Sequence, residues 1–393
     1  MTCKDLHEHA LPVLYNRIVV PIATSLDLKH YSMLGRKNPG VDSIRHVELL
    51  IPARDGKLRL REAIKTVIEL FPPHMLQSLR YVQGNSPGAG DTLTDASSTR
   101  IGPMRFSGFM RLCMTQKNLR NLEILGYHDH VDRAAWLQAA PSLAMPKVEE
   151  IKIHCDQAHA LQACAVAQHF LANVPGVKIL DYKPMDPSMD RFAAQLDDTP
   201  MGAGSITSAL FRSQLQSSVD AEKLRLTRLN LQYADITNWD QSFLKAIDFQ
   251  VMQELNLTSC RGSSGALSKL AAHAATNPLS LRRFVFNPAK MTRAFGLNRF
   301  LLSFTGLKTL IIGIENSLEF PSAEAVGNHG ATLSELAMAH NYGEDAAPSS
   351  FYPPLEDFAS TIKSCPELKQ LAMLYEFLSR KTPICMSLMK HFI

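Results

Sequence analysis

The sequence predicts an α/β solenoid with one parallel strand and one helix in each repeat. Three observations carry that expectation. First, one short pattern recurs: an apolar residue, two variable ones, a second apolar residue, one variable, and a third apolar residue. It runs from Ile44/Val47/Leu49 to Leu368/Leu371/Met373, and its middle members are Val47, Leu79, Leu122, Ile151, Leu180, Leu229, Leu255, Phe284, Leu310, Leu336 and Leu371. Six of the ten intervals between these are 26 or 29 residues. Second, the last two apolar members are two apart, which on a strand aims both at one face, whereas between triplets the spacing becomes helical. Third, most strands carry Arg, Glu, Asn or Lys between the apolar positions. The strands of a doubly wound sheet, buried on both faces, read instead as near-continuous apolar runs.

The elements follow in chain order. Residues 1–22 form an N-terminal helix or cap. Leu6, Ala10, Leu11 and Leu14 share one side of that helix, Pro12 ends it early, and Ile18, Val19 and Val20 then run extended. His7 and His9 flank Glu8 and face solvent. The solenoid spans residues 23–378. Two stretches break its rhythm. Residues 84–105 (GNSPGAGDTLTDASSTRIGPMR) account for a 43-residue interval, and residues 184–203 (PMDPSMDRFAAQLDDTPMGA) lie within a 49-residue one. Their Gly, Ser, Pro and Asp content predicts loops, and no Gly-Lys-Ser/Thr ending turns GNSPGAGD into a phosphate loop. Helical spacing joins Leu161, Cys164, Ala165 and Leu171, then Phe243, Leu244 and Ile247, then Leu355, Phe358, Ala359 and Ile362. Residues 379–393 form a C-terminal tail. A single unit cannot bury its own apolar face, so successive units must stack. Each buried Leu or Ile contributes roughly 1.5–3 kcal/mol, enough over all the triplets for one continuous core.

Composition narrows the function classes. Apolar residues are 46% and charged residues 20% of the chain, ordinary for a globular protein. The net charge of +4 is not gathered into a basic run, so neither nucleic acid nor an anionic membrane is expected as a partner. The 7 cysteines are scattered, odd in number and never spaced C-x-x-C, which points to free thiols in a reducing compartment, cytoplasmic or nuclear. No apolar run of about eighteen residues spans a membrane, and MTCKDLHEHA lacks the apolar core of a signal peptide. Asn256-Leu257-Thr258 matches a glycosylation acceptor and is read as a chance match.

The strings LRNLEILGY, LTRLNLQY and MQELNLTSC look like the LxxLxL core of leucine-rich repeats. The resemblance implies a horseshoe whose parallel strands line a concave face. The asparagine or cysteine that often follows three residues after the last apolar position is present as Cys260 and Asn341 and is mostly absent elsewhere. The irregular spacing resembles fungal F-box/leucine-rich-repeat proteins more than the regular ribonuclease-inhibitor type. The string ALPVLYNRIVV is similar to the end of an F-box, where the last helix passes through Pro-x-Leu-Tyr into the first strand. The family's opening helices, with their Leu-Pro-x-Glu start, would lie upstream of Met1. A remnant of this kind is expected not to grip the ligase adaptor as a complete F-box does. Capping of the solenoid's open end is the other reading of the same residues.

Candidate chemistry is sparse. Tyr127-His128-Asp129-His130-Val131-Asp132 gathers metal-type ligands and resembles the HxHxDH run of metallo-β-lactamases, but Arg133 stands where the last His would be. A solvated turn after the Leu119 strand accounts for the same residues. No G-x-S-x-G or H-E-x-x-H motif is present, so no enzyme, cofactor or metal is expected. A metal-dependent hydrolase centred on His128 and His130 is the minor alternative.

The informative positions lie between the last two apolar residues of each triplet. In turn they are Glu48, Arg80, Glu123, Lys152, Asp181, Asn230, Asn256, Val285, Ile311, Ala337 and Ala372. The first seven are polar and the last four apolar. Two readings of the apolar part compete: an exposed patch for a partner, or a surface covered by Ile384, Met386, Leu388, Met389 and Phe392 of the tail, which is the favoured one. The candidate partner-binding residues are therefore Glu123, Lys152, Asn230 and Asn256, aided by Arg282, Arg283 and Lys308. The expected function is protein recognition, resembling the substrate receptor of an SCF-type ubiquitin ligase. A free-standing repeat adaptor is the alternative.

Overall fold

The computed structural model describes residues 3–22, 38–51, 69–83, 115–127, 147–156, 176–185, 223–234, 246–260, 262–288, 295–314, 321–340, 355–375 and 384–387, together with positions 34, 66, 67, 164, 167, 168, 170–172, 174, 236 and 244. His128, His130 and Asn341 lie outside the described residues, as does residue range 84–105 and all of 184–203 beyond its first two positions. Two compact units result, Met1–Lys178 and Ile179–Ile393. The sequence reading draws no boundary at that point.

In the first unit, helix α1 (Cys3–Tyr15) leads into strand β1 (Arg17–Pro21), followed by β2 (His46–Ile51), β3 (Ser78–Gln83), β4 (Asn121–Tyr127) and β5 (Glu150–Asp156). Each strand pairs in parallel with the one before it, and the register sets Val47, Leu79, Leu122 and Ile151 side by side. In the second unit β6 (Ile179–Met185), β7 (Arg228–Gln232), β8 (Glu254–Cys260), β9 (Arg283–Pro288), β10 (Thr309–Ile314), β11 (Glu335–His340) and β12 (Gln370–Tyr375) pair in the same way. Their register aligns Leu180, Leu229, Leu255, Phe284, Leu310, Leu336 and Leu371. Helices α2 (Ser263–Ala274), α3 (Phe295–Leu302), α4 (Ala323–Gly327) and α5 (Leu355–Lys363) fill four consecutive connections, from β8 to β12. Within each unit, spatial order follows chain order. A doubly wound sheet would reverse that order at a switch point. The protein is α/β, with parallel strands connected in a solenoid-like way.

The triplets explain this arrangement. The first member of every one, from Ile44 to Leu368, is buried. Ile151, Ile153, Leu229, Leu231, Leu310 and Ile312 have no exposed surface at all. Phe284 and Phe286 take the same positions in β9, and Phe284 meets Phe300 of α3 edge-on at 5.1 Å. Phe300 then packs on Phe304 at 5.0 Å, and Phe304 on His329 at 4.9 Å. Cys260 turns inward at a bulge after Thr258, made possible by Ser259 in the left-handed region (φ 51°). Its thiol donates to the Leu231 carbonyl at 3.2 Å.

A repeated backbone device marks the start of the strands. One carbonyl accepts two successive N–H groups from the next segment. In the first unit the acceptors are Asn16, Arg45, Gln77 and Arg120; in the second they are Thr227, Gln253, Arg282, Lys308 and Ser334. Gln77, for example, receives Arg120 N–H at 2.8 Å and Asn121 N–H at 3.1 Å.

Three expectations need correction. Helix α1 continues through Pro12 to Tyr15. Pro12 is exposed, so water can satisfy the carbonyl that loses its helical partner. Leu14 is 70% exposed, whereas Ala10 and Leu11 on the same side of the helix are half-buried. Tyr15 anchors the helix instead: its ring fills the space beside Gly40, where a Cβ would lie 2.5 Å from the ring, and its hydroxyl accepts from Asn38 at 3.4 Å. Finally, Ile384–Ser387 of the tail does not lie over the apolar strand positions, while Leu388, Met389 and Phe392 lie outside the described residues. Ile384–Ser387 forms β13, antiparallel to β12, and extends the sheet edge. The open N–H and C=O groups of β12 offer that segment a row of hydrogen bonds, which a face of small apolar side chains cannot.

Candidate functional site

The residues that alternate with the core positions form ordered rows, because a parallel register carries each into line with its neighbours. In the first unit the row is Val19, Glu48, Arg80, Glu123, Lys152. Its charges alternate in sign and engage one another. Arg80 donates from Nη1 to Glu48 Oε2 at 3.2 Å, and its Nε lies 3.4 Å from Glu123 Oε2. Arg17 approaches the same Glu48 oxygen at 3.6 Å. Lys152 reaches back to Glu150 Oε1 at 3.1 Å. Both predicted residues of this unit, Glu123 and Lys152, are thus half-buried and already paired.

The second unit continues differently. Its row is Asp181, Asn230, Asn256, Val285, Ile311, Ala337, Ala372, all half-exposed. Asn230 Oδ1 accepts from Gln232 at 3.3 Å and Asn256 Oδ1 accepts from the Thr258 hydroxyl at 2.6 Å. Their amide NH₂ groups make no protein hydrogen bond in these pairs. Arg283 lies on the same face, two residues before Val285, in a row with Arg228, Glu254, Thr309 and Glu335. Arg228 and Glu254 form a two-point pair at 2.6 and 3.1 Å, and Thr309 donates to Glu335 at 3.0 Å. Arg282 and Lys308 stand one residue before β9 and β10. They are exposed and neighbour each other along the sheet's starting edge, outside the strand face itself.

The structure therefore brings Glu123 next to Lys152, Asn230 next to Asn256, and Arg282 next to Lys308, with Arg283 between the last two groups. Glu150, Arg17, Thr258 and Lys369 belong to the same surfaces but were missed. Period two would have found Glu150 and Thr258, each two residues from a predicted position. Arg17 needs the register of β1, and Lys369 is to β12 what Lys308 is to β10.

Two titratable groups of the second unit, His329 and Cys365, are buried in its core. Burial among Phe304 and its neighbours lowers the His329 pKa to about 4, partly offset by a backbone hydrogen bond to Leu301. Its Nδ1 accepts from the Leu307 N–H at 3.4 Å, so the ring serves as a neutral acceptor. Burial likewise raises the Cys365 thiol. Among the described residues no group of three or more His, Cys, Asp or Glu is placed to hold a metal, and no helix is long and apolar enough to cross a membrane. No protein-family model matches the chain, and no curated protein matches it.

Proposed function

We propose that the chain is a protein-recognition scaffold of leucine-rich-repeat type, resembling the substrate receptor of an SCF-type ubiquitin ligase. One observation carries this reading. The side chains between the core positions stand in register on successive strands, half-exposed, where they are not needed for the core. Such a row presents a continuous surface built on rigid elements, the kind that repeat proteins use for binding. The pairing of Glu123 with Arg80 and of Lys152 with Glu150 commits the first unit's row to itself. The second unit's row, with Asn230, Asn256 and the apolar positions after them, is the recognition surface.

A photo-crosslinking residue in place of Asn256 should capture protein partners, and one in place of Lys269, exposed on α2, should not. Capture at Lys269 but not at Asn256 would remove the reading. Co-precipitation with the ligase adaptor separates a receptor from a free-standing adaptor. Binding by a version extended upstream, but not by this chain, marks a receptor. Binding by neither marks an adaptor with no ligase role.

A further inference from the structure

We infer that the apolar row Val285–Ile311–Ala337–Ala372, with the basic edge beside it, docks an acidic protein segment that carries an apolar stripe. The inference rests on the recognition reading above and names the chemistry of the partner. The four residues sit in register on β9, β10, β11 and β12. At a strand spacing of about 4.8 Å the row is roughly 14 Å long. Each member is half-exposed, and the one described piece of the tail pairs with the edge of β12. The floor is shallow, because Ala337 and Ala372 follow Val285 and Ile311. On the strand-end side it is closed by Asn287, whose side chain lies over Gly313: a Cβ there would be 2.7 Å from Asn287 Cγ.

The other side is electropositive. Arg283 stands on the face, and Arg282, Lys308 and Lys369 line the strand starts. None of the four pairs with a described carboxylate, although nearby Arg228 pairs with Glu254 at two points. Two carboxylates oppose them, Glu335, which accepts from Thr309, and exposed Glu367. Among the described residues a surplus of two positive charges remains. A polyanion such as nucleic acid would use the basic edge but has no use for an apolar row. A purely apolar partner would leave the four cations unmatched. An acidic segment with apolar side chains on one side satisfies both, and complementary charge also orients it across the strands.

The test is selection of a displayed library of random peptides against the full chain, followed by anisotropy titration of those enriched. Enriched peptides should combine Asp or Glu with spaced apolar residues and should bind more weakly as salt rises. Ile311→Asp should weaken them about tenfold or more, as should the double reversal Arg282→Glu/Lys308→Glu. Ile311→Thr, which keeps the β-branched shape, should weaken them while retaining the wild-type melting curve, so the loss is not unfolding. Enrichment of basic or uncharged peptides overturns the inference, and so does binding that survives all three variants. If such binding is lost in Asn230→Ala/Asn256→Ala instead, the recognition reading stands and only this inference falls. If no peptide is enriched, both fall. Displacement of the peptides by a single-stranded DNA oligonucleotide that binds wild type and Ile311→Asp equally would assign the basic edge to nucleic acid and overturn the inference too.

Discussion

The two units carry the same kind of row on the same kind of strand, and they fill it in opposite ways. In the first, Glu48, Arg80 and Glu123 alternate in sign, Arg80 holds both carboxylates at 3.2 and 3.4 Å, and Arg17 reaches Glu48 from β1 at 3.6 Å. In the second, the corresponding positions pass from Asn230 and Asn256 to Val285, Ile311 and Ala337, none of them charged. A charged row that neutralises itself has little left to offer a partner. The apolar members Val285, Ile311 and Ala337 are half-exposed and carry no polar group to pair within the row. The same parallel register thus lines up charges that pair with one another in the first unit and apolar side chains in the second.

The sharpest way to break this comparison is through the core under the second unit's row. Phe300→Ala removes the ring that links Phe284 to Phe304 and should destabilise the protein by about 3–5 kcal/mol in urea unfolding. A loss below about 1 kcal/mol would mean that the surface rows, not the core, hold the second unit.

Acid should distinguish the units next. His329 is neutral when folded, with its pKa lowered from 6.5 to about 4. The unfolded chain takes up the proton first as pH falls, so the stability this ring gives is fully present above pH 6.5. It is lost between there and about 4. The effect is on the order of 3 kcal/mol. The wild type minus His329→Gln difference in unfolding free energy should shrink across that window, and a flat difference would refute the assignment.

A smaller effect probes the first unit's ladder. Arg80→Met strands Glu48 and Glu123, on the two strands that flank β3, without their shared cation and should cost about 1–2 kcal/mol. The Arg80→Met/Glu48→Gln/Glu123→Gln triple variant should recover most of it. Recovery that fails would show that Arg80 acts through packing of its stem. The matching change in the second unit, Asn256→Ala, releases only the Thr258 hydroxyl and should cost less, about 0.5–1 kcal/mol. Smallest of all, native protein should show no reaction of Cys164, Cys260 and Cys365 with a thiol reagent until it is unfolded, because all three are buried.

Much of this fold is legible in the sequence, and the reason is local. A period of two and a buried face together determine which residue of a strand meets which of its neighbour, so the rows through Leu229 and Asn230 follow from spacing alone. The helix from Leu355 to Lys363 follows from Leu355, Phe358, Ala359 and Ile362 in the same way. What depends on long-range choice is hidden. Whether Lys152 pairs with Glu123 or Glu150 is a rotamer decision made after folding. The path of Ile384–Ser387 turns on the hydrogen-bonding appetite of a sheet edge, which hydropathy does not record. The persistence of α1 past Pro12 depends on Tyr15 finding Gly40, at a distance that no local pattern reports.

The carbonyl that receives two N–H groups at the start of most strands acts as a stop that resets the alignment. Leu79 meets Leu122 across 43 residues as squarely as Leu310 meets Leu336 across 26, since Gln77 seizes Arg120 and Asn121 whatever the intervening chain has done. Length differences are absorbed before that stop and do not travel into the sheet. A change in chain length between β3 and β4 should therefore leave the pairing of Leu79 with Leu122 as it was.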